Sequence, residues 1–182
     1  MDDVAERAGL GVGTAYRRFA NKDELIAALS EERIASVTEI LDRALAQPDP
    51  WRGIVVYLED WLALHAGNRG LKELLLTSPR ARRIEDEAQG RLRPRLDELV
   101  ARAKRAGALR PGIETSDLVL VQMMLFALPV SDSVGTVEPW RRFLPLALEG
   151  LAHDRDEPLP GRALSGEEID AAMEGSLPRR AR

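Results

Sequence analysis

Near the start of the chain, Gly13, Thr14, Tyr16, Arg17, Arg18 and Lys22 carry the groups that could do chemistry, and that chemistry is recognition of a polyanion. An arginine can pair with a guanine edge or a phosphate. A threonine offers its hydroxyl to phosphate or its methyl to thymine, and a glycine lets a helix approach closely. Val12, Ala15 and Phe19 fall at i, i+3 and i+7, so a helix here turns them inward. Gly13, Thr14, Arg17 and Arg18 then face outward, with Tyr16 at the edge. Asn21 can cap a following helix, and Glu24 completes a capping-box-like pair with it. Lys22 would then stand at a helix start beside free backbone N–H groups, a corner that suits a phosphate.

The elements that must position these groups are legible around them. Val4, Ala5 and Ala8 lie at helical spacing, with Asp2 and Asp3 at the end where the helix dipole favours negative charge. Gly9 can take the left-handed conformation that closes this first helix, and Leu10 can pack into the angle before the second. The layout is a short helix, a tight turn and a second short helix, as in a DNA-binding helix-turn-helix.

The run V-A-x-x-A-G-x-x-x-G-T-x-Y-x-x-F-x-N-K-x-x-L, from Val4 to Leu25, resembles the DNA-binding motif of the TetR (tetracycline-repressor-like) transcription regulators. The string is specific, because it fixes about a dozen positions across two helices and the cap of a third. By that resemblance Thr14, Tyr16, Arg18 and Lys22 would contact the DNA backbone, while Val12, Gly13 and Arg17 would approach bases. Gly11 departs from the pattern where a serine cap is common, and Ala15 where a larger aliphatic residue is usual. In the family a further helix precedes this motif and completes a three-helix unit. The present sequence opens on the second helix, so a head without its first helix is expected. Losing such an apolar cover would cost several kcal/mol at roughly 25 cal/mol per Å². The alternative that follows is a dimeric small-molecule-binding or interaction module that does not bind DNA.

Composition bounds the remaining possibilities. The 182 residues, 45% of them hydrophobic, are enough for one or two domains with a core. There is no cysteine, so disulfide and thiol chemistry are excluded. No apolar run reaches the roughly 18 residues of a membrane span, and a soluble, cytoplasmic protein with no membrane partner is expected. The formal net charge of −4 argues against indiscriminate coating of nucleic acid, but a sequence reader needs only a local basic face. An enzyme is disfavoured. The two histidines stand far apart, with no H-x-x-x-H pair, no G-x-S-x-G and no phosphate loop, and no cofactor or metal is called for. The carboxylates of Glu85-Asp86-Glu87 point in different directions on a helix and read as a solvated face.

After the head, a long helix is expected from 21 to about 46, with Ile34, Val37, Leu41 and Leu45 in register until Gln47-Pro48-Asp49-Pro50 stops it. It is the natural lever, with the phosphate corner at one end. A second helix should run from about 50 to 66 with Ile54, Leu58, Trp61 and His65 on one face, a short one over 71–77, and a fourth over 84–106 after the basic run Pro79-Arg80-Ala81-Arg82-Arg83, with Pro94 a candidate kink inside it. Thr115 or Ser116 should cap a helix from 117 to 128 that is apolar almost all round, and Trp140, Leu144, Ala147 and Leu151 mark another. Ser165-x-x-Glu168 is a capping box for one short helix in an otherwise mobile tail.

The expected architecture is all-α: a helix-turn-helix head over 1–45, missing the first helix of its three-helix unit, a larger helical ligand-binding and dimerisation domain over 46–153, and a tail over 154–182. The resemblance implies a homodimer through the helices at about 116–128 and 139–152, double-stranded operator DNA as partner, and a small-molecule effector that releases it. Trp61, His65, Gln122, Met123 and Phe126 are the candidate ligand residues: adaptable or aromatic side chains with two polar groups to orient a molecule. The bland reading of the same residues is ordinary core.

Overall fold

The structure, a computed structural model, describes residues 19, 21–66, 78–128, 138–152 and 159–169, without the side chains of 22, 79, 82, 85 and 86. The expected helix-turn-helix over 2–18 and the short helix over 71–77 lie outside the described residues. The fold is all-α, and among the described residues five helices are named here α1 Lys22–Leu45, α2 Pro50–Ala66, α3 Pro79–Arg105, α4 Thr115–Phe126 and α5 Pro139–Leu151. The chain divides into two compact units, Met1–Arg102 and Ala103–Arg182.

In the first unit α1 begins as the sequence predicts. Asn21 is extended and its Oδ1 accepts the Glu24 N–H at 2.9 Å, meeting one of the donors that a helix start leaves over. Asp23 and Glu24 in the first turn and Arg43 in the last complement the helix dipole. Asn21→Ala is expected to cost about 1 kcal/mol of stability, read as a lower urea midpoint with an unchanged m value. The buried face of α1 includes Ile26, Ser30, Ile34, Ile40, Leu41 and Ala44, whereas Val37 and Leu45 of the predicted stripe are only half-buried.

The Gln47–Pro50 break also falls where expected. Asp49 Oδ1 accepts the Trp51 N–H at 3.0 Å, and Pro50 occupies the first helical position, where its missing N–H is harmless. In α2, Gly53, Ile54, Tyr57, Leu58 and Leu62 are buried. A Cβ on Gly53 would lie 2.8 Å from the Ala44 carbonyl oxygen and 3.2 Å from Leu99 Cδ1. Three helices therefore meet at this glycine, because only a hydrogen there lets α1, α2 and α3 come so close.

The third helix starts five residues before the expected 84. Ser78 is buried and its Oγ accepts the Ala81 N–H at 3.3 Å, with Pro79 at the first position, so Ser78-Pro79 is a helix start and not a loop. The arginine run thus occupies the opening turns of α3, where Arg80 and Arg83 are exposed and Ala81 is buried. Pro94 lies inside the helix. Ala88, Leu96, Leu99 and Ala103 of the predicted register are buried, and Leu92 is half-buried.

In the second unit, Gly107 with φ of 65° turns the chain out of α3, a conformation that costs a residue with a Cβ more than a glycine. Leu109 then pairs with Ala152, and the Arg110 N–H donates to the Leu151 carbonyl at 2.8 Å. The cap of α4 is Glu114, ahead of the expected Thr115 or Ser116, both of which are buried inside the first turn. Asp117 Oδ2 accepts the Glu114 N–H at 2.8 Å. Helix α4 packs against α5, which buries Trp140, Leu144 and Leu151.

Within the tail, Ser165 and Glu168 form the predicted reciprocal cap: the Ser165 N–H donates to Glu168 Oε2 at 2.8 Å, and the Glu168 N–H to Ser165 Oγ at 3.2 Å. The turn that follows buries Ile169. Arg162 Nη1 also donates to Glu168 Oε2 at 2.7 Å. The Arg162 side chain first, and the Ser165 N–H second, hold the Glu168 carboxyl down at about 2 from its ordinary 4.5. A depressed carboxylate stabilises the fold fully above its unfolded pKa, so this contribution should fade as pH falls from about 4.5 towards 2. Carbon-detected NMR should place the Glu168 midpoint near the bottom of that window, and Arg162→Ala should raise it towards ordinary carboxylates.

Candidate nucleic-acid interface

The candidate interface is built from the N-terminal end of α1 outward. Lys22 is the first residue of the helix, directly after the Asn21 cap, so its backbone stands among the unsatisfied N–H groups that attract phosphate. Helix α1 has 24 residues, which at 1.5 Å per residue makes a rod of roughly 36 Å. Its far end sits in the socket of α2 and α3 around Ala44, Gly53 and Leu99. The rod can therefore transmit a tilt. Val12, Gly13, Thr14, Tyr16, Arg17 and Arg18 lie outside the described residues, as does the Lys22 side chain. Phe19, expected to face inward, is half-buried.

The candidate ligand residues fall into two sets. Trp61 and His65, one turn apart on α2 in the first unit, are stacked with ring centroids 3.8 Å apart and planes 22° off parallel. His65 Nδ1 lies 2.7 Å from the Trp61 carbonyl oxygen, so that nitrogen carries a proton and donates. Both residues are half-buried. Gln122, Met123 and Phe126 lie on α4 in the second unit, Gln122 buried and the other two half-buried.

Two features were not anticipated from the sequence. The first is an open cleft of about 740 Å³ in the second unit, between Pro111–Asp117 and the tail segment Leu159–Ala163. None of the five candidate ligand residues lines it. Its charged groups are engaged, with Lys104 Nζ donating to Glu114 Oε1 at 2.6 Å and Arg162 paired to Glu168. The signal for it lay in two left-handed glycines, Gly112 and Gly161, which the sequence alone does not bring together. The second is a further apolar face on α5. Phe143 and Leu146 stand on the side away from the buried stripe, 42% and 60% exposed, and Met124 on α4 is 62% exposed. Helix α4 is apolar almost all round, and exposed apolar faces of this kind suit a partner that covers them.

Comparison with known proteins bears on both halves of the chain. The family described as "Transcriptional regulator SbtR-like, C-terminal domain" matches residues 49–153, which span α2 to α5. That is more than half of the protein. The chain belongs to the TetR family of transcription regulators. A second TetR family description, "Bacterial regulatory proteins, tetR family", matches residues 1–29 and takes in Val12, Gly13, Thr14, Tyr16, Arg17, Arg18 and Lys22. Among solved structures, this TetR-family chain is similar to a TetR transcription regulatory protein from Mycobacterium vanbaalenii, with a TM-score of 0.57 at 25% identity over 83% of this chain and 81% of the other. It also shares its fold with a TetR transcriptional regulator from Streptomyces coelicolor, with a TM-score of 0.56 at 21% identity over 83% of this chain and 86% of that one. No curated protein matches. As a TetR-type regulator it carries its helix-turn-helix domain in the match over residues 1–29 and its helical C-terminal domain in the match over residues 49–153.

Proposed function

We propose that this TetR-family regulator is a cytoplasmic homodimer that binds operator DNA as a repressor and releases it when a small molecule enters its helical domain. One observation carries the reading: the TetR head match over residues 1–29 runs straight into α1, whose N-terminal corner at Lys22 is joined by a rigid rod to the α2–α3 socket. Thr14, Tyr16, Arg18 and Lys22 are assigned to the DNA backbone, and Val12, Gly13 and Arg17 to bases. The exposed apolar faces of α4 and α5 are assigned to the twin subunit, which gives the two-fold symmetry that paired half-sites need. Trp61 and His65 of the first unit, and Gln122, Met123 and Phe126 of the second, are the residues assigned to effector recognition. Nothing in the reading calls for catalysis or for a membrane.

The variant Arg17→Ala/Lys22→Ala tests it. A base contact is worth about 1–3 kcal/mol, and each neutralised phosphate adds about 0.9 to the salt slope. Removing one of each from both subunits should weaken operator binding about a hundredfold or more and flatten the slope by about 2. An affinity unchanged in anisotropy titrations would remove these residues from the interface.

A further inference from the structure

An α-helix leaves its last carbonyls without partners inside the helix; at the end of α1 the carbonyls of Asp42, Arg43 and Ala44 are met locally by Ala46 and Gln47, whereas that of Leu45 is met from another helix. The guanidinium of Arg102, on α3, donates to the carbonyl oxygens of Leu45, Gln47 and Pro48, the last at 3.1 Å. Leu45 closes α1, and Gln47 and Pro48 lead into α2. Two turns earlier on the same face of α3, Arg95 Nε donates to Asp42 Oδ1 at 3.2 Å. Leu96, Leu99 and Val100 are buried between these two grips. The grips are unequal. The Arg95–Asp42 pair is 43% and 59% exposed, and exposed pairs contribute little. Arg102 is half-buried, and its planar fork reaches the three carbonyls from two separate nitrogens in a fixed geometry, a spread that the single ammonium nitrogen of a lysine lacks.

We propose that Arg102 is the latch that sets the pivot of α1. By holding the Leu45, Gln47 and Pro48 carbonyls it fixes the angle at which α1 leaves its socket, and with it the place of Lys22 at the far end. A tilt of about 5° at one end of a rod of roughly 36 Å moves the other by about 3 Å, more than a phosphate contact tolerates. Arg102 is thus a positioning residue. Its consequence for DNA rests on the operator-binding reading above; its effect on α1 does not, and is measured without DNA.

Because the chain has no cysteine, Asp23→Cys and Gln89→Cys, both at exposed positions, give two spin labels reporting α1 against α3 by pulsed dipolar spectroscopy. The parent should give one narrow distance distribution. Arg102→Lys should broaden it about twofold or shift it by about 3 Å, and Arg95→Lys should leave it alone. In unlabelled protein, Arg102→Lys should weaken DNA binding about tenfold without altering the salt slope, since Arg102 reaches no phosphate. A residue that merely caps α1 would lower the melting temperature and leave the distances unchanged, and that result overturns the proposal. So does a broadened distribution with undiminished affinity. Arg102→Gln, which keeps two donors, serves if the lysine variant loses helix content. If the parent binds no DNA at all, the operator reading fails while the distances still decide the latch.

Discussion

Changing Leu146 to glutamate is expected to turn a dimer of this regulator into folded monomers. Leu146 is 60% exposed on α5, near one turn from Phe143 at 42%. Within a single chain such a change usually stays within about 0.5 kcal/mol, because the new carboxylate stays wet. Against a twin subunit the same carboxylate would be taken out of water without a partner, at a cost of several kcal/mol on each side of a two-fold axis. The two outcomes differ enough to separate assembly from folding. Sedimentation velocity over a concentration series should show the parent at twice the chain mass and Leu146→Glu at once, with equal thermal midpoints at low concentration. A variant that stays dimeric, or a parent that is already monomeric, would remove these faces from the dimer.

The largest effect on stability is expected at Gly53. Glycine inside a helix is unfavourable by about 1 kcal/mol relative to alanine, so propensity alone predicts that Gly53→Ala stabilises. The contact says the opposite. A Cβ there would lie 2.8 Å from the Ala44 carbonyl oxygen, a backbone atom that cannot rotate away, and 3.2 Å from Leu99 Cδ1. Overpacking costs typically about 1–3 kcal/mol, which exceeds the propensity gain. Gly53→Ala should therefore be destabilising by about 1 kcal/mol, and Gly53→Val, with two more carbons against the same carbonyl, by about 3 kcal/mol or more. Urea unfolding reads both. The valine variant should also weaken DNA binding, because the carbonyl it displaces lies in the socket that aims α1. A Gly53→Val chain as stable as its parent would mean that the three helices do not pack this closely.

Much of this was legible in the sequence, wherever the signal is local. The Asn21 cap, the Gln47–Pro50 break and the Ser165–Glu168 box each satisfy backbone groups within a few residues, and each falls where its chemistry puts it. The TetR motif was legible for the same reason, since a tight turn and a groove-facing helix fix residue types at short spacing. Two helix starts were misread. The helix expected at 84 begins ahead of the arginine run because Ser78 caps it and Pro79 suits a first turn, and Glu114 wins over Thr115 and Ser116 as a cap because Asp117 can answer its N–H. What the sequence hides is long-range. The Arg102 guanidinium reaches carbonyls more than fifty positions back in the chain, with a separation of 57 for Leu45, and no periodicity marks it. Likewise Phe143 and Leu146 read as incidental beside the Trp140, Leu144 and Leu151 stripe, and only their exposure distinguishes the two faces.

Operator binding by the unlabelled parent is the most direct test of the whole account. Fluorescence anisotropy with duplex DNA from upstream of its own gene, in excess scrambled competitor and at two salt concentrations, should give saturable binding. The stoichiometry should be an even number of chains per duplex, and the affinity should fall steeply with salt. A folded chain that binds the upstream duplex no better than the scrambled one, at either salt, would contradict the central claim that this TetR-family regulator reads DNA through the corner that Lys22 opens.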